Sequence, residues 1–305
     1  MPTELTPALA AALGALQGVA EFLPISSSGH LALAEMLTGL DAESVGHSFN
    51  IVVHAGTLLA VLLHYRRDLL ALALAVFSRR PVALAPSPPD PVALAEGARP
   101  EGQDPKDIPP SRVGPPPNTA RALLLALILA TLPLAAALAP PVEALVIFAE
   151  RTPRAVGAGF LITALMLTFA HRRTGREREP LEAPRPWQAV MIGLAQLVAI
   201  LPGISRSGST MAAAMGLGLG RLPAARFSFL LSVPAVLGAS LKEALDLMKH
   251  GGPALDPTSF VVGFLASFVV GALTLRLLIH LLVRVGLMPF VPYLLALGVA
   301  VLALA

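Results

Sequence analysis

Six stretches of this 305-residue chain are apolar over enough consecutive residues to approach or exceed a membrane crossing, and no other property restricts the fold as much. They run roughly over 48–64, 119–139, 155–171, 224–245, 258–282 and 287–304, where a spanning helix needs ~17 residues or more. Every backbone N–H and C=O inside hydrocarbon must be bonded within the protein, so such spans are expected to be helical. Composition points the same way. Hydrophobic residues make up 55% of the chain and charged residues 13%, with a mean hydropathy of +0.73, whereas soluble domains carry about a quarter charged residues. The chain has no cysteine, which excludes disulfides, thiolate nucleophiles and Cys-ligated metals. Its seven histidines show no paired metal spacing. No basic patch interleaved with aromatics points to nucleic acid. The N-terminal Met1-Pro2-Thr3-Glu4 lacks the basic start of a cleavable signal, so residue 1 is read as mature.

Two further apolar regions are too broken to cross. Residues 5–23 are interrupted by Gln17 and Glu21, then give way to Pro24 and the run Ser26-Ser27-Ser28-Gly29-His30; a ten-residue apolar piece, 31–40, follows. Residues 187–201 stop at Pro202-Gly203, pass through Ser205-Arg206-Ser207-Gly208, and restart to about 219. Each reads as two short helices around a polar break, a re-entrant hairpin whose irregular backbone must be covered by protein or water. Between the first two spans, residues 81–117 hold twelve prolines among Gly, Ser and mixed charges. That composition cannot bury a core and reads as an extended or disordered loop.

The two broken regions resemble each other at a constant offset of 179. Gly14, Gln17 and Ala20 match Gly193, Gln196 and Ala199; Ile25, Ser26, Ser28 and Gly29 match Ile204, Ser205, Ser207 and Gly208. One residue further on, Phe49, Val53 and Ala55 match Phe229, Val233 and Ala235. Three spans separate the copies, so the second would enter from the opposite face. The expected fold is therefore a single all-α membrane domain over 1–305, with six transmembrane helices and two re-entrant hairpins as an inverted repeat. The first repeat would cover 5–171 and the second 186–304. Placing the 65–118, 172–185 and 221–226 segments, the flanking Arg121 and Arg284 inside puts sixteen Lys and Arg on the cytoplasmic side. Arg151, Arg154, Lys242 and Lys249 fall outside, and Arg206 and Arg276 lie at membrane depth. The positive-inside rule then sets both termini outside.

Broken helices of inverted repeats meet near the bilayer midplane, which would bring the Ser26–His30 loop towards the Ser205–Thr210 loop. Gln17 and Glu21 are four apart and share one helix face. A carboxylate at membrane depth costs at least ~2.5 kcal/mol and calls for a partner or a task. Ser- and Gly-containing turns leading into helices offer free amides to an anion, so Ser26, Ser28, Ser205, Ser207 and Thr210 are candidate phosphate contacts with Gln17. Arg206 adds a planar fork suited to phosphate oxygens, although an ion pair with Glu21 would also explain it. His30 is a proton carrier near neutral pH. His54 is deep enough in its span to touch the site and has no assigned role. Together these groups suit phosphoryl transfer on a lipid phosphate.

The sequence Gln17-Gly-Val-Ala-Glu21, followed by Phe-Leu-Pro-Ile-Ser-Ser-Ser-Gly-His30, and later Pro202-Gly-Ile-Ser-Arg-Ser-Gly-Ser-Thr210, resembles the bacitracin-resistance type undecaprenyl-diphosphate phosphatases. The resemblance runs essentially from residue 5 to 304, and the long Pro-rich loop is its main departure. It implies hydrolysis of undecaprenyl diphosphate to undecaprenyl phosphate and inorganic phosphate, which recycles the lipid carrier of cell-wall synthesis. It also implies a multi-pass protein of the plasma (inner) membrane, a site opening to the outer face, and stimulation by a divalent cation (Mg or Ca) near Glu21, with no organic cofactor. The expected roles are Ser27 as nucleophile, His30 for proton transfer, and Glu21 orienting His30 or helping to hold the cation. Direct attack by water stays open, as does a homodimer.

A fainter likeness to type 2 phosphatidic acid phosphatases fails, because Ala212 stands where that class needs a second His and its Lys-x6-Arg-Pro run is absent. The competing functional reading is a transporter or flippase of a lipid phosphate, since inverted repeats serve alternating access. A carrier needs the Arg but has less need of a proton carrier beside a serine.

Overall fold

In the computed structural model, residues 5–40, 47–78, 82, 84, 120–173, 183–250 and 256–305 are described, and their regular elements are all helical. The Pro-rich segment read as a loop over 81–117 lies almost wholly outside the described residues. Helix α1 (Pro7–Phe22) opens with Pro at its first position and with the Thr6 hydroxyl accepting from the Leu9 amide, both favourable to helix initiation. It ends just before Pro24, where the next ring excludes helical backbone. Helix α2 (Ser27–Thr38) starts on Ser26, whose hydroxyl accepts from the Gly29 amide, and ends at left-handed Gly39. The first broken region is thus two short helices, and the second is α8 (Pro186–Val198) followed by α9 (Arg206–Gly216).

Among the described residues, four helical stretches are long and apolar enough to cross a membrane. They are Ala120–Leu138, Pro153–Arg173 (α7), Arg221–Lys242 within α10 (Arg221–His250), and Pro257–Arg284 (α11). A fifth results if the bent pair α3 (His47–His64) and α4 (Arg66–Phe77) is taken as one span. The chain is therefore a multi-pass all-α membrane protein, and four or five of the expected six spans meet this length among the described residues. The sixth expected span, 287–304, is shortened to α12 (Phe290–Leu304), because left-handed Gly286 and Pro289 delay its start. Its 15 residues rise only about 22 Å, short of the ~30 Å hydrocarbon thickness.

Two helices were not anticipated. Helix α4 lies in what reads as a loop from residue 65, because Arg66-Arg67-Asp68 hides the helix-forming run behind it. It turns 78° from α3 at Tyr65, and Asp68, in its first turn, forms an ion pair with Arg226 of α10. The span from 119 starts as α5 (Ala120–Thr131) and tightens into a 3-10 segment, Leu132–Leu138, carrying Pro133. Proline removes an N–H and crowds the preceding turn, which favours this change. Helix α6 (Pro140–Glu150) then follows.

Small residues let the broken helices sit directly on their neighbours. Gly14 of α1 faces the carbonyl of Gly263 on α11, and a Cβ on Gly18 would lie 2.7 Å from the Gly271 amide nitrogen. Gly193 of α8 faces the Ala130 carbonyl of α5 in the same manner. Close backbone approach at Gly or Ala is how helices gain packing where lipid is as apolar as leucine. The two breaks are thereby held in the interior, where the catalytic candidates collect.

Candidate active site

The two breaks touch. Gly29 at the start of α2 packs on Gly203, and a Cβ there would lie 2.8 Å from the Gly203 Cα. Gly203 has φ +85°, and its outward face meets the Val156 carbonyl, so only glycine fits that turn without strain. Ser207 Oγ donates to the Leu23 carbonyl at 3.3 Å, tying the second break to the first. Thr163 of α7 locks the second break from below: its hydroxyl donates to the Gly203 carbonyl at 3.1 Å and accepts from the Ser205 amide at 3.0 Å. Ser26 is the one non-glycine residue with positive φ, at +74°, among the described residues. Such a conformation costs about 1–3 kcal/mol and persists only where surroundings enforce it.

Glu21 is the hub. The carboxylate is buried at 8% exposure and forms an ion pair with Arg206, 185 residues away along the chain. Its Oε2 accepts from Ser27 Oγ at 2.6 Å and from Gln17 Nε2 at 3.1 Å. The same oxygen lies 3.9 Å from His54 Nε2. A donor 2.6 Å from a carboxylate makes a strong, charge-assisted hydrogen bond. Glu21 is therefore placed to take the hydroxyl proton of Ser27. Arg206 commits Nη2 to Glu21, while its Nη1 is buried and has no hydrogen-bond partner among the described residues. An unsatisfied guanidinium nitrogen beside a Ser-rich turn suits an incoming phosphate oxygen.

His30 is held differently from expectation. Its Nδ1 lies 2.7 Å from the Ser26 carbonyl, and a carbonyl only accepts, so Nδ1 carries the proton. Nε2 lies 2.6 Å from the hydroxyl of Tyr293 on α12, with the rings stacked at 5.8 Å. Neutral His30 thus accepts from Tyr293. The groups that orient it are Ser26 and Tyr293, not Glu21; the imidazole that meets Glu21 belongs to His54. Tyr293 had no signal in the sequence, since one aromatic in an apolar helix looks like packing.

The remaining candidates form the walls. Ser26 and Ser28 hydroxyls are 3.4 Å apart, and Ser205 and Ser207 hydroxyls 3.3 Å. Ser26 and Ser205 also cap their helices through Gly29 and Gly208. Thr210 turns away from the carboxylate, bonding the Arg206 carbonyl at 2.8 Å and Ser228 Oγ at 2.6 Å. Gln196, the counterpart of Gln17, is 1% exposed with neither amide atom bonded among the described residues. No group of three His, Cys, Asp or Glu gathers into a metal cage among the described residues.

The family described as "Bacitracin resistance protein BacA" matches residues 10–300, a span that contains both breaks. The chain belongs to that family. Relatives named undecaprenyl-diphosphatase align over nearly its whole length. That of Rubrobacter xylanophilus is 38% identical over 292 residues, covering 96% of each chain. The Geobacter metallireducens protein is 35% identical over 301 residues, 98% of each chain. The Alcanivorax borkumensis protein is 37% identical over 302 residues, covering 95% of this chain and 96% of its own.

Proposed function

We propose that this chain hydrolyses undecaprenyl diphosphate to undecaprenyl phosphate and inorganic phosphate, regenerating the lipid carrier used in cell-wall synthesis. The observation that carries this reading is Ser27 Oγ at 2.6 Å from Glu21 Oε2 beside a guanidinium with a free buried nitrogen. A nucleophile, its base and an anion clamp are the parts that phosphoryl transfer needs. The name undecaprenyl-diphosphatase, carried by the relatives, supports the same substrate.

In the proposed mechanism Arg206 and the amides of the two Ser-rich turns hold the diphosphate, and the prenyl tail stays in the apolar bundle or lipid. Ser27 Oγ attacks the terminal phosphorus as its proton passes to Glu21. An Oγ–P bond forms, the bond from that phosphorus to the bridging oxygen breaks, and lipid monophosphate leaves. Water then attacks the phosphoserine, inorganic phosphate departs, and Oγ regains its proton. His30 and Tyr293 supply a second proton-carrying pair beside the reacting groups. A divalent cation fits this donor set only where the diphosphate provides most of its oxygens, the form in which Mg²⁺ commonly binds. Glu21 is the protein oxygen that would hold it, and the cation would neutralise charge on the phosphates.

The decisive assay uses purified protein in detergent, where no compartments exist and transport has no meaning. Phosphate release from undecaprenyl diphosphate by wild-type protein is the expected result. A well-folded preparation that binds the lipid yet releases no phosphate would leave the carrier reading standing instead.

We further infer that the protein lies in the plasma membrane as two inverted halves, with the site opening outward. The sixteen-to-four bias of Lys and Arg supports this, as does the matched seating of Gly14 on α11 and Gly193 on α5. In intact cells, a cysteine replacing Ser111 should resist a membrane-impermeant thiol reagent, and one replacing Gly252 should react. The opposite labelling would reverse the orientation.

A further inference from the structure

A second group of cationic side chains lies away from the Glu21 cluster, on the seam between α3 and α11. These helices run parallel, as Phe49 meeting Gly263 and Gly56 meeting Ser267 show. At the α3–α4 bend the seam opens into a cleft of about 220 Å³ bordered by His64, Arg66 and Arg276 over Ala272, Leu275 and Phe268. His64 lies ten residues beyond His54 on α3, about 15 Å along the axis, so the cleft is distinct from the Glu21 cluster.

Its charge is one-sided. No acidic residue borders it among the described residues, and the nearby carboxylate is spent: Arg226 engages both oxygens of Asp68, with Nε at 3.2 Å from Oδ2 and Nη2 on Oδ1. Arg66 gives one nitrogen to the Leu63 carbonyl at 2.9 Å. Arg276 is exposed between the outward-facing Leu273 and Leu277, eight residues before α11 ends. A guanidinium on a lipid-facing surface is costly unless it meets an anion or reaches the interface. Further along the seam, Ile51 and Ala55 of α3 and Phe260 and Leu265 of α11 border a wholly apolar cleft of about 470 Å³. Cationic groups at one level and a shallow apolar groove further along the same seam complement an amphiphile, not a free ion.

We propose that this seam binds an anionic membrane phospholipid, its phosphate on Arg66 and Arg276 and an acyl chain along the α3–α11 groove. Basic pockets between spans at the membrane surface recognise such headgroups, each Arg contributing through its charge and its planar fork. The site is separate from the hydrolytic one, so its failure would leave the proposed reaction untouched.

Native mass spectrometry of the full chain tests it, with phosphatidylglycerol and phosphatidylcholine of matched acyl chains added at equal concentration. Wild-type protein should retain the anionic lipid at least about tenfold better. The double change Arg66→Gln with Arg276→Gln should abolish that preference. Inorganic phosphate at the same concentration should fail to displace the bound lipid, since it has no tail for the groove. Equal retention of both lipids by wild type would overturn the proposal, as would unchanged selectivity in the double variant. Displacement by inorganic phosphate would overturn the lipid assignment. The two wild-type arms decide the matter even if the double variant aggregates.

Discussion

Arg206→Lys is expected to lower kcat/KM for undecaprenyl diphosphate by about 10²-fold or more, although the charge is kept. Removing one well-placed donor from developing negative charge commonly costs about 10²–10³-fold, and lysine cannot reproduce a fork that grips Glu21 and a phosphate together. Arg206 uses Nη2 on Glu21 and leaves Nη1 buried without a partner among the described residues. This geometry separates two roles that the sequence leaves entangled. If the arginine served only to neutralise Glu21, both charges could be removed together without functional loss. Arg206→Leu alone strands a buried carboxylate, a defect worth about 3–5 kcal/mol in stability. Adding Glu21→Leu should recover most of the thermal stability measured in detergent. Phosphate release should stay abolished in the double mutant. Near-native hydrolysis by that protein would sink the phosphate-binding role and most of the mechanism with it.

Ser27→Ala should eliminate turnover while substrate binding persists, because the diphosphate is held chiefly by Arg206 and the turn amides. Glu21→Gln should approach the same phenotype through loss of the base that accepts the hydroxyl hydrogen bond at 2.6 Å. His30→Ala should reduce kcat by roughly 10²–10⁴-fold, the usual range for proton-transfer help. Tyr293→Phe keeps the ring stacked on the imidazole and removes only the hydroxyl, so it isolates the proton route from the packing. Single-turnover measurements with labelled terminal phosphate distinguish the outcomes. A phosphoserine that accumulates at Ser27 supports the nucleophile; wild-type turnover in Ser27→Ala removes that residue from the mechanism. Reduced but substantial turnover in Ser27→Ala, lost again on adding Glu21→Gln, would make water the nucleophile with Glu21 as its base.

The family and the chemical class were legible in the sequence because they depend on local pattern. Pro24 and the Pro202-Gly203 pair favour helix ends by local chemistry, and Ser26 and Ser205 cap the next helix through hydroxyls three residues from their targets. Long apolar stretches announce a membrane without reference to any partner. Helix α4 was missed for a related reason: its opening charges resemble a loop until Arg226, 158 residues away, is seen to satisfy Asp68.

Local rules therefore determined that the chain is an all-helical membrane protein with two broken helices, and which polar residues sit at the breaks. The Gln17–Glu21 contact and the Glu21–Arg206 ion pair were among the sequence's own alternatives, and tertiary structure decided the rest of the pairing. Glu21 meets Ser27, Arg206 and His54 in preference to His30, and His30 is claimed by Tyr293 from the far end of the chain. The reason is physical. A soluble amphipathic helix declares its inner face through its apolar stripe, but a membrane helix is apolar on every side. Its rotation is set by small-residue packing such as Gly14 on Gly263, and only that packing determines which oxygen a given side chain will reach.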